Sequence, residues 1–137
     1  MSKEVVERMK ANLPGFLSML GGEPVDFESN PARMTMTFDV SKDFCHSVDV
    51  IQGGFVTAML DATMAHAVFA SESGISRFSS LEIKVVFMAP ARAGKLRCVG
   101  KIDRMGRSIA FLSGELYSEA GDLLCTATST GKISRSE

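Results

Sequence analysis

Alternation of apolar and polar side chains predicts two β-strands in this chain. Between residues 33 and 40 every even-numbered position is apolar and every odd-numbered position is polar. Between residues 81 and 87 the odd-numbered positions are all apolar, and two of the three positions between them are charged. A period of two residues is typical of a strand that buries one face, so both stretches are predicted to lie against a core.

Further apolar stretches, separated by glycine-containing turns, predict the rest of a sheet. The stretches span residues 94–105, 108–117 and 123–129, with turns at Gly106 and at 119–122. Residues 23–29 form either a first strand or an irregular edge. We expect a polar loop at 71–76 and a frayed end at 133–137. The sheet therefore has five or six strands, and its hairpin-like connections favour an antiparallel arrangement.

Two helices complete the predicted elements. Residues 5, 6, 9 and 13 are apolar at helical spacing, and Pro14 ends this first helix. Residues 55–70 hold no helix breaker and are apolar nearly all the way round, which is typical of a helix buried on every side. A single antiparallel sheet can hide one face by curling around such a helix. We therefore predict one α+β domain over residues 1–137, with a curved sheet around one long helix.

Composition excludes several classes of function. The net charge is −1, with both signs scattered, so no electrostatic footprint for nucleic acid exists. Three cysteines and two histidines without CxxC spacing predict reduced thiols, a cytoplasmic protein and no metal site. The charged N-terminus is unlike a signal peptide, and the apolar helix carries Asp61 and His66, so no membrane association is expected.

Asp61 is a charged residue whose position in the sequence needs an explanation. It lies in the middle of the apolar helix, where an uncompensated carboxylate costs several kcal/mol. Two explanations are open at this point. Either the carboxylate takes part in chemistry, or a nearby hydroxyl such as that of Thr57 satisfies it structurally.

Three segments carry a resemblance to a known family. Residues 52–67, QGGFVTAMLDATMAHA, are similar to an HGG-x-x-x-x-x-x-D pattern, with Gly53, Gly54 and Asp61 in register. Residues 79–96 resemble a strand that ends in an aromatic residue, a proline and a basic residue. Residues 101–130 resemble closing hairpins with a Gly-Arg turn. The chain resembles hotdog-fold acyl-CoA thioesterases of the phenylacetate-degradation (PaaI-like) group, within the 4-hydroxybenzoyl-CoA thioesterase superfamily.

The resemblance implies hydrolysis of acyl-CoA thioesters to free acid and CoA, without a metal or cofactor. It also implies a homodimer, or a dimer of dimers, with active sites at the subunit interface. Asp61 would be general base or nucleophile, and the amide of Gly53 would hold the oxyanion. The distance agrees with a shared site, because eight residues of one helix separate Gly53 from Asp61 by roughly 12 Å.

Other residues receive roles with alternatives beside them. Gln52 and His46 stand where the family usually has histidine and asparagine; Gln52 would help to polarise the substrate, and His46 is expected at the rim of the site. Gly54 would assist Gly53. Ser80, or its neighbour Ser79, would form a hydrogen bond with the catalytic water or carboxylate. The remaining candidates for substrate binding are Pro90 and, for the CoA phosphates, Arg107 ahead of Arg92, Lys95 and Arg104.

Two rival functions can be weighed from the sequence. Hotdog hydratases use an aspartate and a histidine five residues apart, and Asp61 and His66 have this spacing. On a helix, however, five residues leave the two side chains roughly 140° apart, so they cannot converge on one substrate. The other rival is a non-catalytic protein that binds acyl-CoA or fatty acid and keeps the fold. The replacements at 46 and 52 motivate this second alternative.

Overall fold

A computed structural model describes residues 2–136 as helices packed on one side of a six-stranded sheet. The helices are α1 (Ser2–Ala11), α2 (Gly15–Met19) and α3 (Gly53–Ser71), with a single 3₁₀ turn at Lys42–Phe44. The strands are β1 (Gly22–Ser29), β2 (Ala32–Val40), β3 (Ile75–Phe87), β4 (Gly94–Met105), β5 (Ile109–Ser118) and β6 (Leu123–Arg135). All pairings are antiparallel, in the order β1-β2-β4-β5-β6-β3. This architecture confirms the predicted hotdog fold.

The position of α3 is fixed by a close approach to β4. A Cβ atom on Gly100 would lie 2.7 Å from both the backbone nitrogen of Met64 and the backbone oxygen of Thr63. Only glycine allows helix and strand backbones to come so close. The apolar side chains of α3, among them Met59, Leu60 and Val68, fill the concave side of the sheet and are fully buried. This close contact fixes the position of α3 along β4, and it therefore also fixes the positions of the two ends of the helix.

Replacing Gly100 by alanine should destabilise the fold. The added methyl group would press on helix backbone rather than on a flexible side chain, and overpacking of this kind costs about 3 kcal/mol. Urea unfolding of the variant and the wild type measures the change. Gly74→Ala is the matched control, because a Cβ there meets nothing within 4 Å. Equal unfolding free energies for the two variants would contradict the proposed close packing.

Three elements differ from the sequence prediction. The third strand begins at Ile75 rather than at Leu81, and β6 runs to Arg135, so the last two residues of the predicted loop (75–76) and residues 133–135 of the predicted frayed end belong to the sheet. Register shifts at Ile75/Arg77 and at Ser80/Glu82 break the period of two, which is why alternation reveals only the second half of β3. The first helix ends at Ala11, and the five residues of α2 are too few to show a period. Glu137, at the predicted frayed end, lies outside the described residues.

The expectation that α3 is buried on every side is wrong for the single chain. The sheet covers one side of the helix, whereas Phe55 is 39% exposed and Ala58, Asp61 and Ala65 are only half-buried. By length and composition α3 could also cross a membrane, but half of it is buried inside this fold, as in a core helix. The open face of α3 is therefore largely apolar, and no other described element of the single chain covers it.

Candidate active site

The N-terminus of α3 presents two hydrogen-bond donors side by side. The side chain of Gln52 caps the helix, and its Oε1 accepts from the backbone N–H of Gly54 at 2.8 Å. Because only the oxygen of the amide can accept this bond, its Nε2 group remains a donor. The N–H of Gly53, the first residue of the helix, has no acceptor among the described residues. The N–H of Gly54, which the sequence suggests as a second donor to the oxyanion, is used by the cap in this structure.

A cavity of about 390 Å³ opens beside these donors. His46, Gly53 and Pro90 all line it, so the structure brings these three predicted site residues together. The imidazole of His46 shares a hydrogen bond with Ser47 at 2.9 Å, between Nδ1 and Oγ. Phe87 also lines the cavity, and its ring tip lies 3.2 Å from the place where Gly53 would carry a Cβ atom. Sequence reasoning gave Phe87 no role, although an aromatic residue at the exposed end of a strand was a signal.

Backbone hydrogen bonds hold the loop that carries Gln52. The N–H of Gln52 donates to the oxygen of Phe44 at 2.9 Å, and the N–H of Ile51 donates to the oxygen of Ala91 at 2.8 Å. An ion pair of 2.7 Å between Arg92 and Asp49 adds a side-chain contact between the same two segments. Arg92 was considered for the CoA phosphates, and here its guanidinium holds the loop.

Asp61 has a specific hydrogen-bond partner. The hydroxyl of Ser80 donates to Oδ1 of Asp61 at 2.6 Å. Ser79 is the neighbouring residue on β3, and adjacent residues on a strand point to opposite faces, so the geometry selects Ser80. The hydroxyl of Thr57 donates instead to the backbone oxygen of Gly53 at 2.9 Å, and the structure does not pair it with Asp61. One carboxylate oxygen is thus oriented by a serine.

His66 does not act together with Asp61. Its Nδ1 lies 2.8 Å from the backbone oxygen of Ala62, so this nitrogen carries the proton and donates. Burial lowers the pKa of His66, against the smaller opposing effect of the bond to Ala62. The imidazole is therefore neutral near pH 7, and it is directed toward α1, among the residues that include Met9. The Asp–His arrangement of a hydratase is not formed.

The predicted site is divided between two places in the single chain. Gly53 and Asp61 are separated by roughly 12 Å along α3, as eight residues of helix require. Arg107 is more distant, in the turn between β4 and β5. That turn lies at the other end of α3, where the hydroxyl of Ser71 contacts the sulfur of Met105 at 3.9 Å. Together with Arg104 and Phe111, Arg107 lines an open surface cavity of about 680 Å³.

Comparison with known proteins identifies the family. The model of the thioesterase superfamily matches residues 49–125, which include the cap, Gly53, Asp61 and Ser80. The chain belongs to the thioesterase superfamily. A candidate thioesterase related to phenylacetic acid degradation, from Ralstonia eutropha JMP134, is 31% identical, with a TM-score of 0.85 over 94% of this chain and 99% of that one.

More distant relatives of this thioesterase include one solved structure with the same fold and one protein matched by sequence. A Streptococcus pneumoniae thioesterase solved with coenzyme A has a TM-score of 0.78 at 15% identity, over 88% of this chain and 92% of that one. A candidate esterase from Thermoplasma volcanium is 26% identical over 120 residues, 88% of this chain and 86% of the relative. The protein is a thioester hydrolase, and the family assignment favours this activity over the non-catalytic alternative.

The core cysteines of this thioesterase are poor nucleophiles. All three cysteines are free, and both Cys98 and Cys125 are buried. Burial raises the pKa of Cys98 to about 12 and also raises the pKa of Cys125, so neither forms a thiolate near neutral pH. Among residues 2–136, no group of three His, Cys, Asp or Glu side chains is placed to hold a metal ion.

Proposed function

We propose that this thioesterase hydrolyses acyl-CoA thioesters to the free acid and CoA at sites shared between two subunits. The observation that carries the proposal is the division of the site along α3. An unoccupied amide at Gly53 and an oriented carboxylate at Asp61 lie on one helix, too far apart to touch one carbonyl. Coenzyme A as the carrier of the acyl group is supported by the Streptococcus pneumoniae relative, which was solved with this molecule.

The proposed reaction uses each group once. The thioester oxygen accepts hydrogen bonds from the N–H of Gly53 and from Nε2 of Gln52, and these donors stabilise the negative charge that develops there. Helix dipoles favour an anion at this end of α3. Asp61 takes a proton from water as the oxygen of that water attacks the thioester carbon. When the tetrahedral intermediate collapses, the C–S bond breaks and the proton passes from Asp61 to the CoA sulfur.

Ser80 has a positioning role in this scheme. Its hydrogen bond to Oδ1 of Asp61 fixes the plane of the carboxylate and leaves Oδ2 as the acceptor for water. Because the hydroxyl donates to a carboxylate, the bond is charge-assisted and is stronger than one between neutral groups.

A two-fold dimer would unite the two halves of the site. If two copies of α3 pack antiparallel across their open faces, Gly53 of the partner subunit faces Asp61. The edge position of β3 supports the same arrangement, because one side of this 13-residue strand has no neighbour in the sheet. Leu81 on this strand is 58% exposed, and long edge strands with exposed apolar side chains tend to pair with another chain. A dimer of dimers would keep the same sites.

The nucleotide end of CoA would meet the turn between β4 and β5. Arg104 and Arg107 supply positive charge there, and Phe111, which is 46% exposed, offers a flat apolar surface for the adenine. The turn lies near Ser71, roughly 15 Å along α3 from Asp61, so the distance suits the far end of an extended cofactor rather than its thioester. Arg107 would therefore bind the CoA phosphates from the subunit that supplies Asp61.

Mixed dimers test the shared site. One variant chain carries Asp61→Asn and the other carries Gly53→Pro, each with a different affinity tag, so that purification on both tags isolates heterodimers. One of the two sites in a heterodimer is then intact, and about half of the wild-type activity per dimer is expected. Release of CoA from acyl-CoA, followed with a thiol-reactive dye, measures the activity. Each homodimeric variant is the control and should be nearly inactive; heterodimers as inactive as both parents would refute a shared site.

A further inference from the structure

An arginine at the end of β6 connects three elements of the fold. The Nε and Nη2 groups of Arg135 donate to the two carboxylate oxygens of Glu72, both at 3.0 Å. Its Nη1 group donates to the backbone oxygen of Arg107, in the turn between β4 and β5. Glu72 is the C-cap of α3. One guanidinium of β6 therefore links the C-terminal end of α3 to this turn.

Strand β6 holds residues 107 and 108, at the tip of the turn. Arg107 lies beyond the last pair of the β4–β5 ladder, in which Met105 is opposite Ala110. The next residue, Ser108, accepts a hydrogen bond at 2.8 Å from the backbone N–H of Ile133 on β6. Successive carbonyl oxygens of the tip are thus bonded to β6, one to its backbone and the other to the guanidinium. The position of the tip therefore depends on both contacts.

Two arginine side chains at this turn face the solvent. Arg104 and Arg107 are both exposed, and neither forms an ion pair with a residue of the described chain. Arg135 differs from them, because the carboxylate of Glu72 already balances its charge. The turn therefore offers two guanidinium groups to an anion, whereas the third is used within the protein to hold the backbone.

The pair of Glu72 and Arg135 has a geometry suited to positioning. Hydrogen bonding to Arg135 lowers the pKa of Glu72, so the carboxylate is charged near pH 7. Two bonds between the same two groups fix the plane of the guanidinium, and Nη1 is thereby directed toward the turn. Both side chains are partly exposed, and such ion pairs usually add little to stability. Loss of the pair should therefore affect the position of the turn more than the stability of the fold.

We propose that Arg135, held in place by Glu72, positions the turn so that the guanidinium of Arg107 meets the phosphates of CoA. The inference rests on the proposed function, because it takes this turn as the site of the nucleotide end of CoA. Arg135 does not touch the substrate in this scheme and acts through the backbone of Arg107. The pair thus determines the affinity for acyl groups carried by CoA, and it has no effect on thioesters whose carrier lacks phosphates.

Two substrates separate recognition of the carrier from hydrolysis. The acyl-CoA that the wild type hydrolyses fastest is compared with the N-acetylcysteamine thioester of the same acid, which has no phosphate. We expect Arg135→Ala to raise KM for the acyl-CoA about tenfold, as weakening one charge-assisted contact allows, with kcat within about twofold of wild type. The value of kcat/KM for the N-acetylcysteamine thioester should not change. An equal loss with both substrates would place the effect at the reacting groups or in the fold and would overturn the positioning role.

The sign of the effect at Glu72 distinguishes positioning from simple attraction between charges. Glu72→Ala removes a negative charge near the turn, so attraction alone would lower KM for the acyl-CoA. Positioning predicts the opposite, a rise of about threefold to tenfold, because Arg135 loses its fixed orientation. Glu7→Ala is the matched control, since it changes the net charge equally and breaks an ion pair with Lys10 on α1; its KM should equal that of wild type. A KM for Glu72→Ala at or below wild type would overturn the proposal.

A double variant tests whether Arg135 acts through Arg107. Arg107→Ala should raise KM for the acyl-CoA at least as much as Arg135→Ala, and combining the two should add nothing, because the two residues act as one unit. A further rise in the double variant would mean that Arg135 contacts the substrate itself, which contradicts the proposal. Thermal unfolding of each variant confirms that the fold is kept.

The outcomes separate this inference from the proposed function. If Arg107→Ala leaves KM for the acyl-CoA unchanged while Asp61→Asn is inactive, the turn is not the nucleotide site; the inference then fails and the hydrolase mechanism stands. Wild-type protein without activity on any acyl-CoA would refute the proposed function itself.

Discussion

Substitution of Asp61 by asparagine is expected to lower kcat/KM by about 10³, within the range that general bases contribute. Asparagine has the same shape as aspartate, and its amide oxygen can still accept the bond from Ser80. It cannot take a proton from water, so the loss reports on proton transfer rather than on packing. CoA release from a small panel of acyl-CoA substrates measures the effect.

Ser80→Ala is the companion variant for this experiment. It leaves the carboxylate charged but removes its 2.6 Å hydrogen bond, so we expect a smaller loss, about tenfold, as the carboxylate loses its fixed orientation. Thermal unfolding should show both variants folded. Activity of Asp61→Asn within a few-fold of wild type would mean that another group activates the water.

Substitution of Gly53 by proline should lower kcat by about 10² to 10³, the usual cost of losing one oxyanion donor. Proline has no N–H, and position 53 is the first of the helix, where proline is well tolerated. The preceding residue already has a compatible backbone, since Gln52 has φ −63° and ψ 138°. The substitution thus deletes one donor and leaves the path of the chain unchanged.

Gly53→Ala is the matched control for the proline variant. It keeps the N–H and adds a methyl group, which would lie 3.2 Å from the ring tip of Phe87. That ring is 53% exposed and can give way, so activity should stay within about tenfold of wild type. Steady-state kinetics with circular dichroism of both variants make the comparison. Equal losses in the two variants would show that bulk, and not the missing donor, causes the effect.

Much of the fold could be predicted because its strongest patterns are local. The apolar run of α3 and the alternation in β2 and in the second half of β3 locate the core directly. The first half of β3 has serine and arginine at most positions and two register shifts, so no single period describes it. Its order comes from antiparallel pairing with β6, from Ile75 opposite Arg135 to Ser80 opposite Gly131. Contacts between residues more than 50 positions apart leave no local trace in a sequence.

The site was predictable to a different degree. The apolar surroundings of Asp61 and the resemblance to the HGG-x-x-x-x-x-x-D pattern made Gly53 and Asp61 candidates, and their spacing predicted that one carbonyl could not touch both from one helix. The choice between Ser79 and Ser80 depended on the irregular pairing beside Ser80, which no residue pattern reveals. The cap made by Gln52 was equally hidden, because a glutamine side chain can adopt many rotamers. Because of this cap, the N–H of Gly54 already donates to the side chain of Gln52.

The close contact between α3 and β4 at Gly100 limits which substitutions can change the substrate preference of such an enzyme. Helix α3 carries both proposed reacting groups, the oxyanion donor Gly53 at its start and the general base Asp61 in its middle, and in a homodimer each substitution would be present in both active sites. A substitution that shifts α3 would displace both Gly53 and Asp61 in every site. We therefore expect new substrate preferences to arise from substitutions in segments that lie beside only one part of α3, such as the loop before Gln52 or the first helix.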